Sequence, residues 1–251
     1  MTGTVYLAGA GPGAADLLTL RAARLLQQAD VILHDALVTE EVMALAGPGR
    51  RVAVGKRAGK PSPDQGFINR LLVRSAQRYQ TVVRLKGGDP CLFARADEEL
   101  NACRAAGIPV EIVPGITAGF AAAASLLAPL SRRSEARSVA FVTPARARNE
   151  PESDAWADAA AHADTAVIYM GKKEAEVVRD ALLRRGLPAT LPAVLAESVA
   201  HTNAHAIGGT LAELPQMAAA AGDGPVLLLL GTVFAKAALA IDPHIERALF
   251  G

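Results

Sequence analysis

The sequence VVRLKGGDPCLFAR occupies residues 82–95 and opens with an apolar, β-branched run that ends abruptly in two glycines, an aspartate and a proline. The β-branched run predicts a buried strand, and the four residues that follow, Gly87 to Pro90, predict a sharp loop. A hydrophobic side chain at such a strand end would add more to the core than a glycine does. We therefore expect the loop, and not the core, to explain these residues.

Strand-like and helix-like segments alternate on both sides of this stretch. In the first half, apolar runs predict strands and amphipathic segments between them predict helices. The predicted strands lie at residues 4–10, 31–35, 51–55, 81–86 and 109–113. This alternation predicts a parallel sheet that is covered by helices on both faces.

The second half of the sequence has a different pattern of apolar and polar segments. An apolar helical stretch at residues 118–130 leads into the polar, basic sequence PLSRRSEARS, after which strand-like runs return. These runs lie at residues 138–143, 165–170, 192–196 and 225–230, with a further edge strand predicted near 201–209. We predict two α/β domains with a cleft between them: residues 1–117, with a parallel sheet, and residues 118–251.

Composition narrows the function classes. The chain has 251 residues, 51% of them apolar, and a formal net charge of +1, which argues against a nucleic-acid partner. No apolar run is long enough to span a bilayer, and the N-terminus has no basic region ahead of an apolar one, so neither membrane span nor signal peptide is expected. Cys91 and Cys103 form no metal-binding spacing and predict buried thiols in a cytoplasmic protein without a metal.

Unusual loops follow the predicted strands of the first domain. They are GAGPGAAD at residues 9–16, His34-Asp35, GGDP at 87–90 and PGIT at 114–117. Parallel strands bring their carboxyl ends to one edge of the sheet, where ligands bind. A single glycine turn is ordinary, but all of these loops at the same edge indicate a ligand site.

One interpretation is a nicotinamide-dependent oxidoreductase. Gly9, Gly11 and Ala14 satisfy the dinucleotide pattern G-x-G-x-x-G/A, and Asp35 lies about where a ribose-binding acid is expected. Pro12 argues against it, because it has no N–H to offer a pyrophosphate. The GGDP and PGIT loops are also left unexplained.

A ligand with ribose hydroxyls, an adenine and a cationic centre, but no phosphate, suits these loops better. Glycines let the backbone approach a ligand closely, and Asp89 can accept from a hydroxyl or an amine. S-adenosylmethionine is such a ligand.

Six motifs, in this order, closely resemble those of the uroporphyrinogen-III C-methyltransferases, in the siroheme and cobalamin branch of the tetrapyrrole methylases. They are LAGAGPGAADLLTL, HDALV, VGKRAG, VVRLKGGDPCLFAR, VPGITA and IYMG. The resemblance covers nearly the whole chain. It implies a homodimeric enzyme that binds S-adenosylmethionine between two domains and methylates uroporphyrinogen III twice, giving precorrin-2 and S-adenosylhomocysteine. Bifunctional relatives carry a dehydrogenase–chelatase module first, whereas this sequence starts directly at the methyltransferase motifs.

The resemblance also implies roles for individual residues. The cofactor-binding residues are Pro12, Gly87, Gly88, Asp89, Leu92, Thr117, Ala118 and Met170. Two alternatives stay open, since Asp89 also suits a turn and Met170 also suits the core at a strand end.

Methylation of a ring carbon needs alignment and proton loss more than a strong nucleophile. By the same resemblance, Asp35 is the proton acceptor and Lys56 the proton donor. The tetrapyrrole carboxylates would be bound near Arg95, Glu98 and Arg133, and arginine suits such groups because it contacts them at two points. We interpret the remaining nearby cations as solvated surface charges: Arg57, Lys60, Arg84 and Arg132.

Departures from the family pattern concentrate in the second domain. Ser131-Arg132-Arg133 replaces Thr-His-Arg, Thr143-Pro144-Ala145 replaces Thr-Gly-His, and Glu197-Ser198-Val199-Ala200 replaces Glu-Asn-Gly-Thr. These changes keep two alternatives open, a methylase for a later precorrin and a weakened cofactor-binding paralogue. The oxidoreductase is the alternative from another class of enzyme.

Overall fold

A computed structural model describes residues 2–55, 64–146 and 153–241. Two compact units make up the chain, Met1–Thr117 and Ala118–Gly251. Each unit has its own five-stranded sheet flanked by helices, so the predicted mixed α/β class is confirmed.

The first unit is built on a wholly parallel sheet. Its strands are β1 Thr4–Gly9, β2 Val31–His34, β3 Arg50–Ala53, β4 Thr81–Lys86 and β5 Val110–Val113. Its helices are α1 Leu20–Gln28, α2 Glu40–Ala44, α3 Gln65–Ala76 and α4 Ala96–Ala105. The strand order is β3-β2-β4-β1-β5, and every neighbouring pair is parallel, as the alternating pattern predicted.

The central strand β4 shows why the sheet is covered on both faces. Successive side chains of a strand point to opposite faces. Val83 and Leu85 accordingly pack in the cluster that includes side chains of α1 and α2, whereas Val82 packs in the cluster that includes α3 and α4. All three are fully buried, so each face of β4 contributes to a core.

Threonine side chains begin two of these helices. Thr19 Oγ1 accepts from Ala22 N at 3.2 Å, and Thr39 Oγ1 accepts from Val42 N at 3.2 Å. Each bond satisfies a backbone N–H that the first helical turn leaves without a partner. Both helices therefore start at fixed points after the loops that follow β1 and β2.

The second unit has a mixed sheet. Its strands are β6 Val139–Val142, β7 Thr165–Tyr169, β8 Pro192–Glu197, β9 His205–Thr210 and β10 Val226–Gly231. Its helices are α5 Ala118–Ser125, α6 Ala155–His162, α7 Ala175–Arg184, α8 Leu214–Ala220 and α9 Ala235–Ala240. The order is β6-β7-β10-β8-β9; β6 and β7 are parallel and the other neighbours antiparallel. The predicted edge strand is confirmed as β9.

The prediction that both thiols are buried is half wrong. Cys103 is buried in α4, but Cys91 is exposed in the loop after β4, because that loop leaves the sheet. Within the described ranges, no three side chains of His, Cys, Asp or Glu are grouped so that they could hold a metal ion. In the same ranges, no helix is long and apolar enough to cross a membrane.

Candidate cofactor and catalytic site

The loops after β1 and β4 pair with each other at the carboxyl edge of the first sheet. Gly11 N donates to Gly88 O at 3.2 Å, and Gly88 N donates back to Gly11 O at 2.7 Å. The loop after β2 joins them, since Thr39 Oγ1 donates to Gly13 O at 2.8 Å. These bonds fix the relative positions of three loops from three different strands.

Glycines let the backbones of the loops after β1, β4 and β5 touch. A Cβ on Gly115 would lie 2.3 Å from Gly88 O and 2.8 Å from Gly9 Cα. A Cβ on Gly9 would lie 2.6 Å from both Gly88 O and Gly115 Cα. No side chain fits at such distances, so the close approach requires glycine at both positions. The predicted convergence of the loops at this edge is confirmed.

Asp89 ties the loop after β4 to the loop after β5. Its Oδ1 accepts from Cys91 N at 2.7 Å, and its Oδ2 accepts from Gly115 N at 2.8 Å. Both carboxylate oxygens are thus used by backbone N–H groups, which is the turn role that stayed open for this residue. Each oxygen keeps a second lone pair, so the contact with a ligand stays a prediction.

Gly87 differs from the glycines that the packing requires. A Cβ there would meet nothing closer than Leu37 Cβ, at 3.4 Å, which is an ordinary contact. Gly88 has φ +66°, a left-handed conformation, and the nearest described atom to a Cβ added there would be Thr117 Cα, at 4.0 Å. The described residues therefore give no steric reason for glycine at position 87, and the free space beside it suits a ligand.

Pro12 and Leu92 lie on the same two paired loops. Pro12 directly follows Gly11 and is partly buried. Leu92 is also partly buried, and its N–H donates to Asp89 O at 3.3 Å. The first-unit residues predicted to bind the cofactor are thus carried by loops that contact one another.

The backbone after β1 does not form a dinucleotide fingerprint. In that fingerprint the glycine loop opens directly into an α-helix, whose first N–H groups face the pyrophosphate. Here Ala14 is extended, with φ −67° and ψ 138°, and is followed by a short 3-10 turn, Ala15–Leu17. The α-helix begins only at Leu20, after its N-terminus has been capped by Thr19. The oxidoreductase interpretation therefore lacks the helix that should begin directly after the glycine loop and face the pyrophosphate.

Asp35 belongs to a network of charged side chains beneath the loops. Arg84 Nη2 donates to Asp35 Oδ1 at 2.5 Å, and Arg84 Nε donates to Glu99 Oε1 at 2.9 Å. Lys86 Nζ donates to Glu99 Oε2 at 2.8 Å. The side chains of Arg84, Lys86 and Glu99 are at most 3% exposed, whereas Asp35 is 30% exposed. We call these four residues the buried ion network.

Interpreting Arg84 as a solvated surface charge is therefore wrong. Arg84 and Lys86 are two residues apart on β4, so both point to the face that α4 covers, where Glu99 meets them. Burial, and then the Glu99 charge, raise the pKa of the Cys103 thiol to about 11. Burial, and then the Arg84 charge, lower the pKa of Lys86.

Three residues of the first-unit predictions cannot be placed. Lys56, the predicted proton donor, lies outside the described residues, and so do Arg57 and Lys60.

Arg95 and Glu98 form an exposed two-point ion pair at the start of α4. Arg95 Nε lies 2.6 Å from Glu98 Oε1, and Arg95 Nη2 donates to Glu98 Oε2 at 2.9 Å. Arg95 and Phe93 both have left-handed backbones, with φ of 54° and 51°. Such strain in non-glycine residues, about 1–3 kcal/mol each, is concentrated at functional sites. The two predicted substrate-side residues therefore lie together on a strained, exposed segment.

The two residues of the second unit that are predicted to bind the cofactor, Ala118 and Met170, lie on either side of one hydrogen bond. Ala118 begins α5, and Met170 directly follows β7. Their neighbours are linked, because Gly119 N donates to the hydroxyl of Tyr169 at 2.9 Å. Met170 is 52% exposed and left-handed, with φ 56°, so the core role that stayed open for it is wrong. Sequence reasoning did not single out Tyr169 in IYMG.

Arg133 and Arg132 differ in their partners. Both lie in a turn that is closed by Arg132 N donating to Ala136 O at 2.8 Å. Arg132 Nη1 donates to Glu135 Oε2 at 2.7 Å. Arg133 is exposed, and no side chain or carbonyl in the described part of the chain pairs with its guanidinium. Of the two arginines, Arg133 is the one whose donors stay available.

The substituted motifs of the second unit have local structural roles. Thr143 Oγ1 accepts from Ala145 N at 3.1 Å. Glu197 is buried, and it accepts from Gly222 N at 2.7 Å and from Gly224 N at 2.5 Å. The oxygens of Glu197 thus hold the loop before β10, and Oε2 also lies 3.1 Å from His205 Nε2 on β9.

Comparison with known proteins identifies the family. Residues 4–215 match the model of the tetrapyrrole (corrin/porphyrin) methylases. A uroporphyrinogen-III C-methyltransferase from Paracoccus denitrificans is 46% identical over 99% of this chain and 86% of its own length. A crystal structure of a uroporphyrin-III C-methyltransferase from Thermus thermophilus, complexed with S-adenosylhomocysteine, is 37% identical and has a TM-score of 0.79. That match covers 92% of this chain and 98% of the other.

Longer relatives match as well. Siroheme synthase 1 from Serratia proteamaculans is 42% identical over 99% of this chain, and this chain spans only 51% of its length. The sequence thus corresponds to about half of such relatives. Because the family model and the Paracoccus relative both extend over most of the sequence, the chain belongs to the tetrapyrrole (corrin/porphyrin) methylases.

Proposed function

We propose that this protein is a C-methyltransferase that uses S-adenosylmethionine to methylate uroporphyrinogen III twice, giving precorrin-2 for siroheme or cobalamin synthesis. One structural observation carries the proposal: backbone contacts lock together loops from adjacent strands of a parallel sheet, and the residue next to these contacts is Gly87, a glycine that packing among the described residues does not require. The activity for which the Paracoccus relative is named and the ligand in the Thermus structure support the choice of cofactor and reaction.

The residues proposed to hold the cofactor suit a nucleoside without a phosphate better than one that carries a phosphate. Gly87 and Gly88 leave space for the ligand, and Pro12 offers no N–H where a phosphate would need one. Leu92, Ala118 and Met170 offer apolar contacts. When bound, S-adenosylmethionine would supply the methyl group of its sulfonium: a ring carbon of the substrate would bond to the methyl carbon as the C–S bond breaks, and S-adenosylhomocysteine would leave with the electron pair.

Asp35 is proposed to take the proton that the substrate loses once its ring carbon has been methylated. Arg84 occupies its Oδ1, and no donor among the described residues occupies Oδ2. The side chain is 30% exposed, so it combines a fixed orientation with access. Lys56 is proposed as proton donor on the resemblance alone.

Arg95, Glu98 and Arg133 are proposed to bind the substrate. Uroporphyrinogen III is a polyanion, and planar guanidinium groups can contact its carboxylates at two points. We also infer a homodimer, from the resemblance, and a cytoplasmic location, from the scarcity of cysteine.

Ligand binding and product analysis test the proposal. S-adenosylhomocysteine at about one hundred times its Kd should stabilise the protein by roughly 2.7 kcal/mol in a thermal-shift titration, and NAD should have no effect. Anaerobic incubation with S-adenosylmethionine and uroporphyrinogen III should add two methyl groups by mass. Stabilisation by NAD alone would favour an oxidoreductase. Cofactor binding without methylation would favour a later-precorrin methylase or a weakened paralogue.

The substrate side is tested by Arg133→Ala. This change should raise the KM for uroporphyrinogen III roughly tenfold, about 1.4 kcal/mol, because an unpaired cation near the substrate is lost. The Kd of S-adenosylhomocysteine should stay the same, and Arg133→Lys should recover only part of the loss, since an ammonium cannot make the planar contact. Arg132→Ala is the matched control, because Arg132 is already paired with Glu135. Equal effects of both changes would remove Arg133 from the substrate side.

A further inference from the structure

Arg84 is the residue of the buried ion network that contacts Asp35. The two side chains come from adjacent parallel strands, in which Leu33 pairs with Arg84 and His34 with Leu85. Asp35 N also donates to Leu85 O at 3.1 Å, which continues the pairing one residue beyond β2. The Asp35 carboxylate is thus brought to the Arg84 guanidinium by the sheet itself.

Every nitrogen of the Arg84 guanidinium has an acceptor. Nε donates to Glu99 Oε1 at 2.9 Å, Nη1 donates to Leu85 O at 3.1 Å, and Nη2 donates to Asp35 Oδ1 at 2.5 Å. Because the guanidinium is planar and its donors form a rigid fork, fixing two of its edges fixes the third. The Nη2 donor that meets Asp35 is therefore held in a single orientation.

Glu99 is itself held from several sides. Lys86 Nζ donates to its Oε2 at 2.8 Å, and Gln65 Nε2 on α3 donates to its Oε1 at 3.3 Å. The Glu99 side chain is fully buried, so water does not compete for these bonds. Glu99, which holds Arg84, is consequently fixed by the packing of α3 and α4 on β4.

We propose that Arg84 is a positioning residue for methyl transfer, which holds Asp35 by Oδ1 and leaves Oδ2 as the oxygen that accepts the proton. The inference rests on the proposed function and adds to it a residue that touches neither substrate nor cofactor. A general base acts only within hydrogen-bond reach of the proton that it removes. A carboxylate free to rotate would spend part of its time out of that geometry, and small misplacements reduce rates strongly.

Arg84→Met and Lys86→Met test this as a matched pair. Both residues are buried on the same face of β4 and both contact Glu99, but Arg84 alone reaches Asp35. On folded protein, Arg84→Met should lower kcat roughly ten- to a hundredfold with an unchanged Kd for S-adenosylhomocysteine. Lys86→Met should change kcat less than about threefold, although it also disturbs the network. Arg84→Lys should restore stability, because the charge is kept, without restoring kcat.

Two further measurements separate positioning from a structural role. In an Asp35→Asn background, Arg84→Met should cause little additional loss of kcat, because it acts through Asp35. Crystal structures should show the Asp35 carboxylate reoriented in Arg84→Met and unchanged in Lys86→Met. Equal kcat losses in the two Met variants, additive losses with Asp35→Asn, or an unmoved Asp35 would each overturn the proposal. If the wild-type protein makes no methylated product, the proposed function fails, and the orientation of Asp35 in these crystals still decides the assignment of Arg84.

Discussion

Replacing Glu99 by alanine should lower the free energy of unfolding by about 3–5 kcal/mol, the usual effect of removing one partner from a buried ion pair. Glu99 is fully buried and accepts from Arg84 and from Lys86. Without it, Arg84 keeps Asp35 as a partner, but Lys86 has no carboxylate partner left in the described part of the chain. A buried cation without a partner is the most destabilising outcome for such a network. Chemical denaturation followed by circular dichroism measures the loss.

The neighbouring residue provides the control for this change. Glu98 lies in the same turn of α4 as Glu99, but its ion pair with Arg95 is exposed: the Glu98 side chain is 40% exposed and the Arg95 side chain 60%. Glu98→Ala should therefore change stability by less than about 1 kcal/mol. Replacing all three buried charges by apolar residues, as Arg84→Met, Lys86→Met and Glu99→Leu together, should recover most of the loss. A loss below about 1 kcal/mol in Glu99→Ala would mean that the buried network contributes little.

The Glu99→Ala variant should also depend on pH in a defined direction. Burial already lowers the pKa of Lys86 in the folded protein, and Glu99 opposes that effect. Without Glu99 the pKa of Lys86 falls further, so the folded state binds fewer protons than the unfolded state below the ordinary lysine pKa. The free energy of unfolding should therefore rise with pH between the lowered pKa and about 10.4.

The parts of the fold that depend on local pattern could be predicted from sequence. Strand β4 follows from its β-branched run, and the parallel sheet follows from the alternation of strands with amphipathic helices. The convergence of the loops after β1, β4 and β5 then follows from the geometry of parallel strands. In the second unit the strands could be found in the same way, but the antiparallel pairing of β7 and β8 with β10, and of β9 with β8, could not. Pairing direction depends on how the chain returns to the sheet, which a strand's own residues do not encode.

Contacts between residues that are far apart in the sequence could not be predicted from it. Arg84 looked solvated because isolated charges usually are, and its burial depends on Glu99, which is fifteen positions away on another element. A signal was nevertheless present, because two cations, Arg84 and Lys86, alternate with apolar residues at the end of a β-branched strand. Asp89 is similar, since its bond to Gly115 N spans twenty-six positions and orders two loops, whereas its contact with a ligand stays a prediction.

A second large effect is expected for Gly115→Ala. The new Cβ would lie 2.3 Å from Gly88 O and 2.8 Å from Gly9 Cα, both backbone atoms that cannot rotate away. The loops after β1, β4 and β5 would have to separate, at a cost near the upper end of overpacking, about 3 kcal/mol. Because the bond from Gly115 N to Asp89 would be strained as well, binding of S-adenosylhomocysteine should be lost together with stability. Calorimetric titration and thermal unfolding of the same sample measure both.

Gly87→Ala is the informative comparison, because it should separate the two effects that Gly115→Ala combines. At position 87 the added Cβ makes only an ordinary 3.4 Å contact with Leu37, so the fold should be unaffected or stabilised by up to about 1 kcal/mol. If the space beside Gly87 belongs to the cofactor, the same methyl group should weaken binding of S-adenosylhomocysteine at least tenfold, or about 1.4 kcal/mol. Unchanged affinity with unchanged stability would contradict the assignment of Gly87 to the cofactor site. A loss of affinity in a fully stable variant cannot be attributed to unfolding, and it would place the bound ligand against the loop after β4.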